Sequence, residues 1–545
     1  MTISELQKAR LNYQPQLAPA LQNGASVKII EGKPTTSAGD SAKIKTLFPK
    51  TYGSPILEME IETDEQPQNA INVGVILSGG QAPGGHNVIA GLFDGLQSLD
   101  ENSKLFGFLG GPDGLIEGDF VEITEEFLVP YRNTGGFDII GSGRTKLEDE
   151  NQFHKVAEHC EKLNISALVI IGGDDSNTNA SLLAEFYAQN GIPIQVIGVP
   201  KTIDGDLKNE QIEISFGFDT ACKVYSGLIG NIMRDVFSAK KYWHFIRLMG
   251  RSASHITLEC ALQTQPNIAI ISEEVAEKRK TLGQIIEEIA EIVKNRAQNG
   301  ENFGVALIPE GLVEFIPEFK MMIAEMNDLI ANEAQEFNNR ENLDEKTEFI
   351  AQRLKTDSQK LYKSLPNLIQ KQLVNDRDPH GNVQVSLIET EKLLIEMVNT
   401  KLKSNGFSGK FKTQSHFFGY EGRSVFPSNF DANYTYNLGF TASALICAKQ
   451  TGYMAAVRNL AKPVLEWQVG GVPIPMMMNI ERRHGSEKPV IAKALTELDS
   501  VPFVKFVKNR EKWANGNYYI YPGPVQYFGP TEVCDRISEM LKCCH

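Results

Sequence analysis

Short runs that are apolar at every position, each followed by a helix-spaced stretch, constrain this chain more than any other feature. "VGVIL" (73–77), "ALVII" (167–171) and "IQVIGVP" (194–200) offer no polar face to water, so strands built from them must be covered on both sides. Between them stand "HNVIAGLFDGLQSL", "FHKVAEHCEKLN" (153–164) and "NASLLAEFYAQNG" (179–191), whose apolar residues recur at helical spacing. The alternation predicts an α/β domain with a parallel sheet between layers of helices. A second series, "YWHFIRLMG" (242–250), "SASHITLECALQ" (252–263), "NIAIIS" (267–272), "LGQIIEEIAEIVKNRAQNG" (282–300) and "FGVALIPEG" (303–311), predicts a second domain of the same plan.

At 545 residues the chain exceeds what one core usually serves. The texture divides it into an N-terminal extension (1–70) that packs on the domain or on a partner subunit, and a first α/β domain (71–240). The second domain takes 241–316 and 404–480. It is split by a charge-rich helical insertion (317–403), whose charges read as solvated helix faces. A strand-poor C-terminal extension (481–545) follows. No run of about 18 apolar residues exists, and the first residues lack an apolar signal core, so neither a membrane span nor a secretory leader is expected. The net charge of −14 argues against a nucleic-acid surface. Seven cysteines (160, 222, 260, 447, 534, 543 and 544), with no CxxC pair, fit a reduced, cytoplasmic protein. The terminal "KCCH" reads as a frayed tail rather than a metal site.

Open α/β sheets bind ligands beyond the carboxyl ends of their strands. Four such ends are unusual here. "LSGGQAPGGHN" (77–87) has glycines that let backbone N–H groups approach a phosphate, although no GK[ST] follows to make a Walker loop. "GGDDS" (172–176) puts two carboxylates at a helix N-terminus, where an anion is favoured. Ser176 or one aspartate as a helix cap explains one polar residue and leaves the other aspartate over. "VPKTIDGDLKN" (199–209) sets Lys201 and Thr202 beside Asp204 and Asp206, unless it is an Asp–Gly turn with solvated charges. "LMGRSAS" (248–254) carries Arg251, which can clamp a phosphate with two hydrogen bonds. Phosphate-cradling glycines, carboxylates for Mg2+, a lysine and a base are the parts phosphoryl transfer needs.

"SGGQAPGGHN", "GGDDS", "PKTIDGD", "MGR", "PEG" (309–311) and "GYEGRSVFPSNFD" (419–431) occur in that order. From about 71 to 440 the chain resembles the phosphofructokinase superfamily, and specifically its long, pyrophosphate-dependent fructose 6-phosphate 1-phosphotransferases. The resemblance implies two Rossmann-like parallel-sheet domains and reversible, Mg2+-dependent phosphoryl transfer from pyrophosphate to the sugar 1-hydroxyl. Motif by motif, it makes Asp204 the base, Asp206 a supporting acid and Asp174 the metal-associated aspartate. Gly79 and Gly80 match the glycines beside the donor phosphates, and Arg144 falls where the family has a donor-phosphate arginine. Thr202, Ile203, Met249, Gly250, Arg251, Glu310, Tyr420, Glu421, Gly422 and Arg423 lie in the motifs that contact the sugar phosphate. Lys240 and Lys241 lie where the family completes a neighbouring subunit's site, which implies a homodimer, and Tyr242 beside them counts among the sugar-phosphate contacts.

The two carboxylates of "GGDDS" then have a reading. Relatives that use ATP typically carry glycine in place of Asp175, and glycine in place of Lys201. Asp175 duplicates the charge of a nucleotide's α-phosphate, and two unit charges about 4 Å apart repel by roughly 4 kcal/mol at an effective dielectric of 20. That corresponds to nearly a thousandfold in affinity at 1.4 kcal/mol per factor of ten. Pyrophosphate escapes the clash, and Lys201 supplies it with a counter-charge. Both residues speak against an ATP-dependent 6-phosphofructokinase. The presence of Asp204 and Asp174 speaks against a non-catalytic regulatory subunit. "TIDGD" stands where many relatives have "TIDND", which leaves both aspartates in place.

Overall fold

The runs at 73–77, 167–171 and 194–200 lie side by side as parallel strands in the computed structural model of the chain, which describes residues 5–63, 68–377, 382–483, 486–527 and 537–543. In chain order the strands are β1 (Val27–Pro34), β2 (Pro55–Ile61), β3 (Asn72–Leu77), β4 (Lys104–Phe108), β5 (Phe120–Ile123), β6 (Ile165–Gly172), β7 (Gln195–Pro200), β8 (Trp243–Leu248), β9 (Ile268–Ala269), β10 (Gly304–Pro309), β11 (Thr413–Phe418), β12 (Tyr453–Arg458), β13 (Gln468–Pro473), β14 (Met478–Arg483) and β15 (Ser486–Ile491). The chain divides into two units, one of residues 1–221, 420–494 and 525–545, the other of 222–419 and 495–524.

The first unit is built on a nine-stranded sheet in the order β1-β2-β13-β12-β7-β6-β3-β4-β5. Its centre, β12-β7-β6-β3-β4, is parallel, and antiparallel strands extend it at both sides. Ile76, Leu168, Ile170 and Val196 pack with Phe106 and Phe108 on one face. Helices Gly85–Leu99 and Asn429–Cys447 meet through glycines, since a Cβ on Gly91 would stand 2.1 Å from the Tyr436 carbonyl oxygen and one on Gly439 would stand 2.1 Å from that of Val88. Any side chain there would push the helices apart.

Four of the assignments read from the sequence differ from this arrangement. Residues 420–480, given to the second domain, belong to the first unit: β12 pairs with β7, and β13 pairs with β12 and β2. Chain order had placed them after the second series, but main-chain hydrogen bonding returns them to the first sheet. Residues 1–70 likewise supply β1 and β2 to that sheet. The stretch 481–545 is not uniformly strand-poor, because β15 pairs with β14 as a hairpin. The passage between units falls at 221–222, within helix Phe218–Ala239, rather than at 240–241.

The second unit carries a four-stranded sheet in the order β11-β8-β10-β9, parallel throughout. "NIAIIS" yields only the short β9 before helix Ser272–Glu277 begins. Helices Pro317–Asn332, Ala334–Asn338, Leu343–Arg353, Thr356–Ser364, Asn367–Asn375 and Thr390–Ser404 occupy the charge-rich region. Their apolar faces, among them Phe319, Ile350, Tyr362, Leu373 and Leu394, share a core with Ile285, Ile289, Trp243 and Phe245. Arg247 of β8 ties this layer down. Its Nε is 2.9 Å from Glu391, with both side chains buried, and its Nη1 donates to the carbonyls of Ser386 and Ile388 at 3.0 Å each.

Candidate active site

In the first unit the chain runs from β3 to β4 on one side and returns through β6 on the other, so the switch point of the sheet lies between β3 and β6. Loops leaving such neighbouring strand ends diverge and open a crevice. Gly79 and Gly80 follow β3, Asp174 and Asp175 follow β6, and Lys201 to Asp206 follow β7. Leu77 faces Ile171 and Gly172 faces Pro200, which brings the three loops to one edge.

Helix Asp174–Asn190 begins after Gly173, the N-cap residue, and no side chain caps it. Neither Ser176 nor an aspartate is therefore the cap. Asp174 and Asp175 are the first two helical residues, and the Ser176 hydroxyl instead donates to Ser78 Oγ at 2.8 Å. Asn177, fully buried, donates from Nδ2 to the carbonyls of Gly172 (2.6 Å), Gly173 (3.0 Å) and Val199 (3.3 Å), and so fixes the ends of β6 and β7 together. In the next loop Gly205 has φ +74°, a left-handed conformation open to glycine and tolerated by asparagine, which accounts for either residue between the two aspartates.

Lys201 is buried and its Nζ donates to the Gly80 carbonyl at 2.7 Å. Burial pulls its pKa down to about 8. Asp204 and Asp174 oppose that shift, and Arg423 and Arg144 add to it. Asp206 is also buried, and burial together with the charges of Asp204 and Asp174 pushes it up to about 7. A cation already answers this crowding: Lys493 Nζ stands 3.6 Å from Asp174 Oδ2 and 4.0 Å from Asp206 Oδ2.

Beside these groups lies a cavity of about 680 Å3, lined by Gly79 to Gln81, Gly135 to Asp138, Gly141 to Arg144, Arg423 and Ser424. A Cβ on Gly80 would come within 2.9 Å of Arg423 and 3.5 Å of Arg144, so both guanidinium groups close on that glycine. The Gly79 N–H does not face the cavity as a phosphate donor, because it donates to the Gly143 carbonyl at 2.8 Å. Asp138 on the cavity wall is 3.5 Å from Nε2 of His86, whose burial holds it neutral with a pKa of about 4. Tyr420 is exposed, and the Arg423 guanidinium lies 5.2 Å from its ring centroid. Thr202 accepts the Asp204 N–H at 3.0 Å, Ile203 is buried, Glu421 is exposed and Gly422 buried.

The remaining sequence-predicted residues belong to the second unit. Met249, Gly250 and Arg251 follow β8, and Glu310 follows β10. Gly250 has φ +125°, and its N–H donates to the buried Glu310 carboxylate at 3.1 Å. Arg251 is exposed. Lys240 and Lys241 are exposed between helix Phe218–Ala239 and β8, with Lys240 and Tyr242 both left-handed at φ +49° and +54°.

A family model described as phosphofructokinase matches residues 72–446. The chain is a member of the phosphofructokinase family. It is 57% identical over 546 residues to the pyrophosphate--fructose 6-phosphate 1-phosphotransferase of Porphyromonas gingivalis, covering 99% of each chain. It is 53% identical over 558 residues to the enzyme of the same name from Treponema pallidum, covering 99% of this chain and 97% of the other. Its fold is similar to the crystal structure of a pyrophosphate-dependent phosphofructokinase from Marinobacter aquaeolei, with TM-score 0.52 and 16% identity over 82% of this chain and 93% of that one.

Within this phosphofructokinase, sequence reasoning missed Asn177, Asp138, His86 and Lys493. Asn177 directly follows "GGDDS" and carried a signal as a polar residue at a position the helix buries. Lys493 carried none, since nothing in "VIAKALTEL" sets one lysine apart. The cysteines at 160, 260 and 447 are free thiols. Cys534, Cys544 and His545 lie outside the described residues. Among the described residues no helix is long and apolar enough to cross a membrane.

Proposed function

We propose that this chain catalyses the reversible transfer of a phosphoryl group from pyrophosphate to the 1-hydroxyl of fructose 6-phosphate, giving fructose 1,6-bisphosphate and phosphate. The observation that carries this reading is the convergence of Lys201, Arg144 and Arg423 on Gly80, with Asp174, Asp204 and Asp206 alongside.

Asp204 takes the proton of the sugar 1-hydroxyl as that oxygen bonds the transferred phosphorus and the P–O bond to the leaving phosphate breaks. Asp206, crowded by two other carboxylates, supports it. Lys201, Arg144 and Arg423 hold the donor and meet the charge that develops on it, and such preorganised charges act where water is excluded. Asp175 turns away a third phosphate. Thr202 and Ile203 align the base loop with the acceptor, which Met249, Gly250, Arg251, Glu310, Tyr420, Glu421, Gly422 and Arg423 hold by its sugar and 6-phosphate.

Phosphotransferases of this family work with a divalent metal, and we take it to be Mg2+. Among the described residues no group of three or more His, Cys, Asp or Glu forms a complete cage. That suits Mg2+, which is commonly held by one or two carboxylates together with substrate phosphates. Asp174, with Asp206 beside it, would hold the ion, which when bound neutralises donor oxygens. We further assign a cytoplasmic homodimer in which Lys240 and Lys241 complete the neighbouring subunit's sugar-phosphate site, with Tyr242 as a further sugar-phosphate contact.

The test is a donor comparison on the purified chain, with fructose 6-phosphate and Mg2+. Turnover with pyrophosphate, little with ATP, and phosphate-dependent formation of fructose 6-phosphate from the bisphosphate are expected. Ready use of ATP with no use of pyrophosphate overturns the reading. Activity of this chain without a second polypeptide also separates it from a regulatory subunit.

A further inference from the structure

We propose that Lys493 is a built-in counter-ion which occupies the carboxylate cluster and keeps a bare divalent cation out until the cation arrives with the diphosphate. The inference rests on the proposed role of Asp174 as the metal-associated aspartate and extends it to a residue outside the motifs of the family.

The placement of Lys493 is fixed rather than incidental. The hairpin β14–β15 leads into it, and the Ile491 N–H donates to Thr178 Oγ1 of helix Asp174–Asn190 at 3.2 Å. The backbone is then anchored on both sides of residue 493: Ala492 N–H donates to the Met477 carbonyl and Ala494 N–H to the Asp206 carbonyl, each at 2.8 Å. A surface lysine on a loose tail lacks such anchors, and its ion pairs are worth little. Here the ammonium is delivered between Asp174 and Asp206, at 3.6 and 4.0 Å, with its side chain 29% exposed.

Its charge has a clear effect. Asp204 and Asp174 crowd Asp206 with like charge, and the ammonium beside Asp174 and Asp206 offsets that charge. A free divalent cation entering the cluster meets the ammonium and must displace it. A cation that comes with a diphosphate brings anionic oxygens toward which the displaced ammonium can turn, so the lysine exchanges carboxylates for phosphate oxygens. The device thus couples metal entry to donor entry and leaves the empty enzyme without a tightly held ion.

The test uses the full-length protein with Mn2+ alone, no donor and no sugar, and reads bound against free Mn2+ by electron paramagnetic resonance. Wild type is expected to bind Mn2+ weakly and Lys493→Met about tenfold more tightly or better, the size expected for loss of one opposing charge near the site. Lys493→Arg is expected to stay at the wild-type level, and Lys493→Met combined with Asp174→Asn to lose the gain. Lys493→Gln serves as a second neutral variant should the methionine variant fail to fold. Equal Mn2+ affinity in wild type and a neutral variant overturns the proposal, as does a gain that survives loss of the Asp174 charge. Because no phosphoryl donor is present, failure here is distinct from failure of the donor comparison.

Discussion

The Lys201 ammonium donates to the Gly80 carbonyl at 2.7 Å, which latches the loop after β7 onto the loop after β3. Lys201→Met keeps the bulk and removes both the latch and the charge. Pyrophosphate-dependent turnover is expected to fall by roughly a hundredfold to a thousandfold, the range for removal of one preorganised charge stabiliser. The KM for fructose 6-phosphate is expected to move little. Steady-state kinetics decides, and unchanged turnover removes Lys201 from the donor site.

Asp175 is exposed at the first turn of helix Asp174–Asn190. Solvent therefore screens its repulsion of a nucleotide below the roughly 4 kcal/mol of a shielded pair. Asp175→Gly with Lys201→Gly is expected to raise kcat/KM for ATP by about tenfold to a hundredfold while lowering that for pyrophosphate. Competition kinetics with both donors measures this, and a preference that stays put refutes exclusion by charge.

Asp204→Ser is expected to leave binding of both substrates nearly intact and to cut turnover about a thousandfold, within the span usual for loss of a general base. Binding by calorimetry beside turnover separates the two effects. Near-normal turnover would assign the base elsewhere.

In the second unit His244 Nδ1 is 2.8 Å from His416 Nε2, and the rings stack at 5.1 Å. Burial, then the neighbouring His416, holds His244 down to about 4, with Asp235 opposing. Between about 6.5 and about 4 the unfolded chain binds a proton that native His244 refuses. Its contribution to stability is thus present above pH 6.5 and lost as the pH falls toward 4. Thermal melts from pH 7.5 to 4.5 are expected to decline less steeply for His244→Gln than for wild type. Parallel curves sink the assignment.

Arg247 and Glu391 test the packing of the helical layer. Arg247→Met leaves Glu391 buried without its partner and is expected to cost about 3–5 kcal/mol. Arg247→Met with Glu391→Leu is expected to recover most of that loss, since an apolar pair of similar size often replaces a buried ion pair without penalty. Chemical denaturation midpoints of the two variants check it.

The runs behind β3, β6 and β7 were legible because strands buried on both faces leave no polar position to mislead. The pair Asp174 and Asp175 stood out because capping requires only one of them, whereas Asp204 and Asp206 could equally be a solvated Asp–Gly turn and took their roles from the family resemblance. What chain order conceals is partner choice. "YMAAV" and the segment behind β13 are apolar in a way that suits either sheet, and only hydrogen bonding to β7 and β2 assigns them to the first. Lys493 was hidden for a related reason: its role comes from the backbone anchors of its neighbours, which no residue pattern encodes. The capping alternative for "GGDDS" falls away because Gly173 is the N-cap residue and Ser176 has its partner in Ser78, from a distant loop.

The pairing of Leu57 with Gly471 has a bearing on biosynthesis. β2 can pair with β1 as soon as both are synthesised, but its other edge matches β13, which follows only after residues 62–467. Until then the nascent chain presents an open β-edge, a template for pairing with other chains. Completion of the first sheet therefore waits for β13, and heterologous expression should improve with slower synthesis at low temperature or with holdase chaperones that cover that edge.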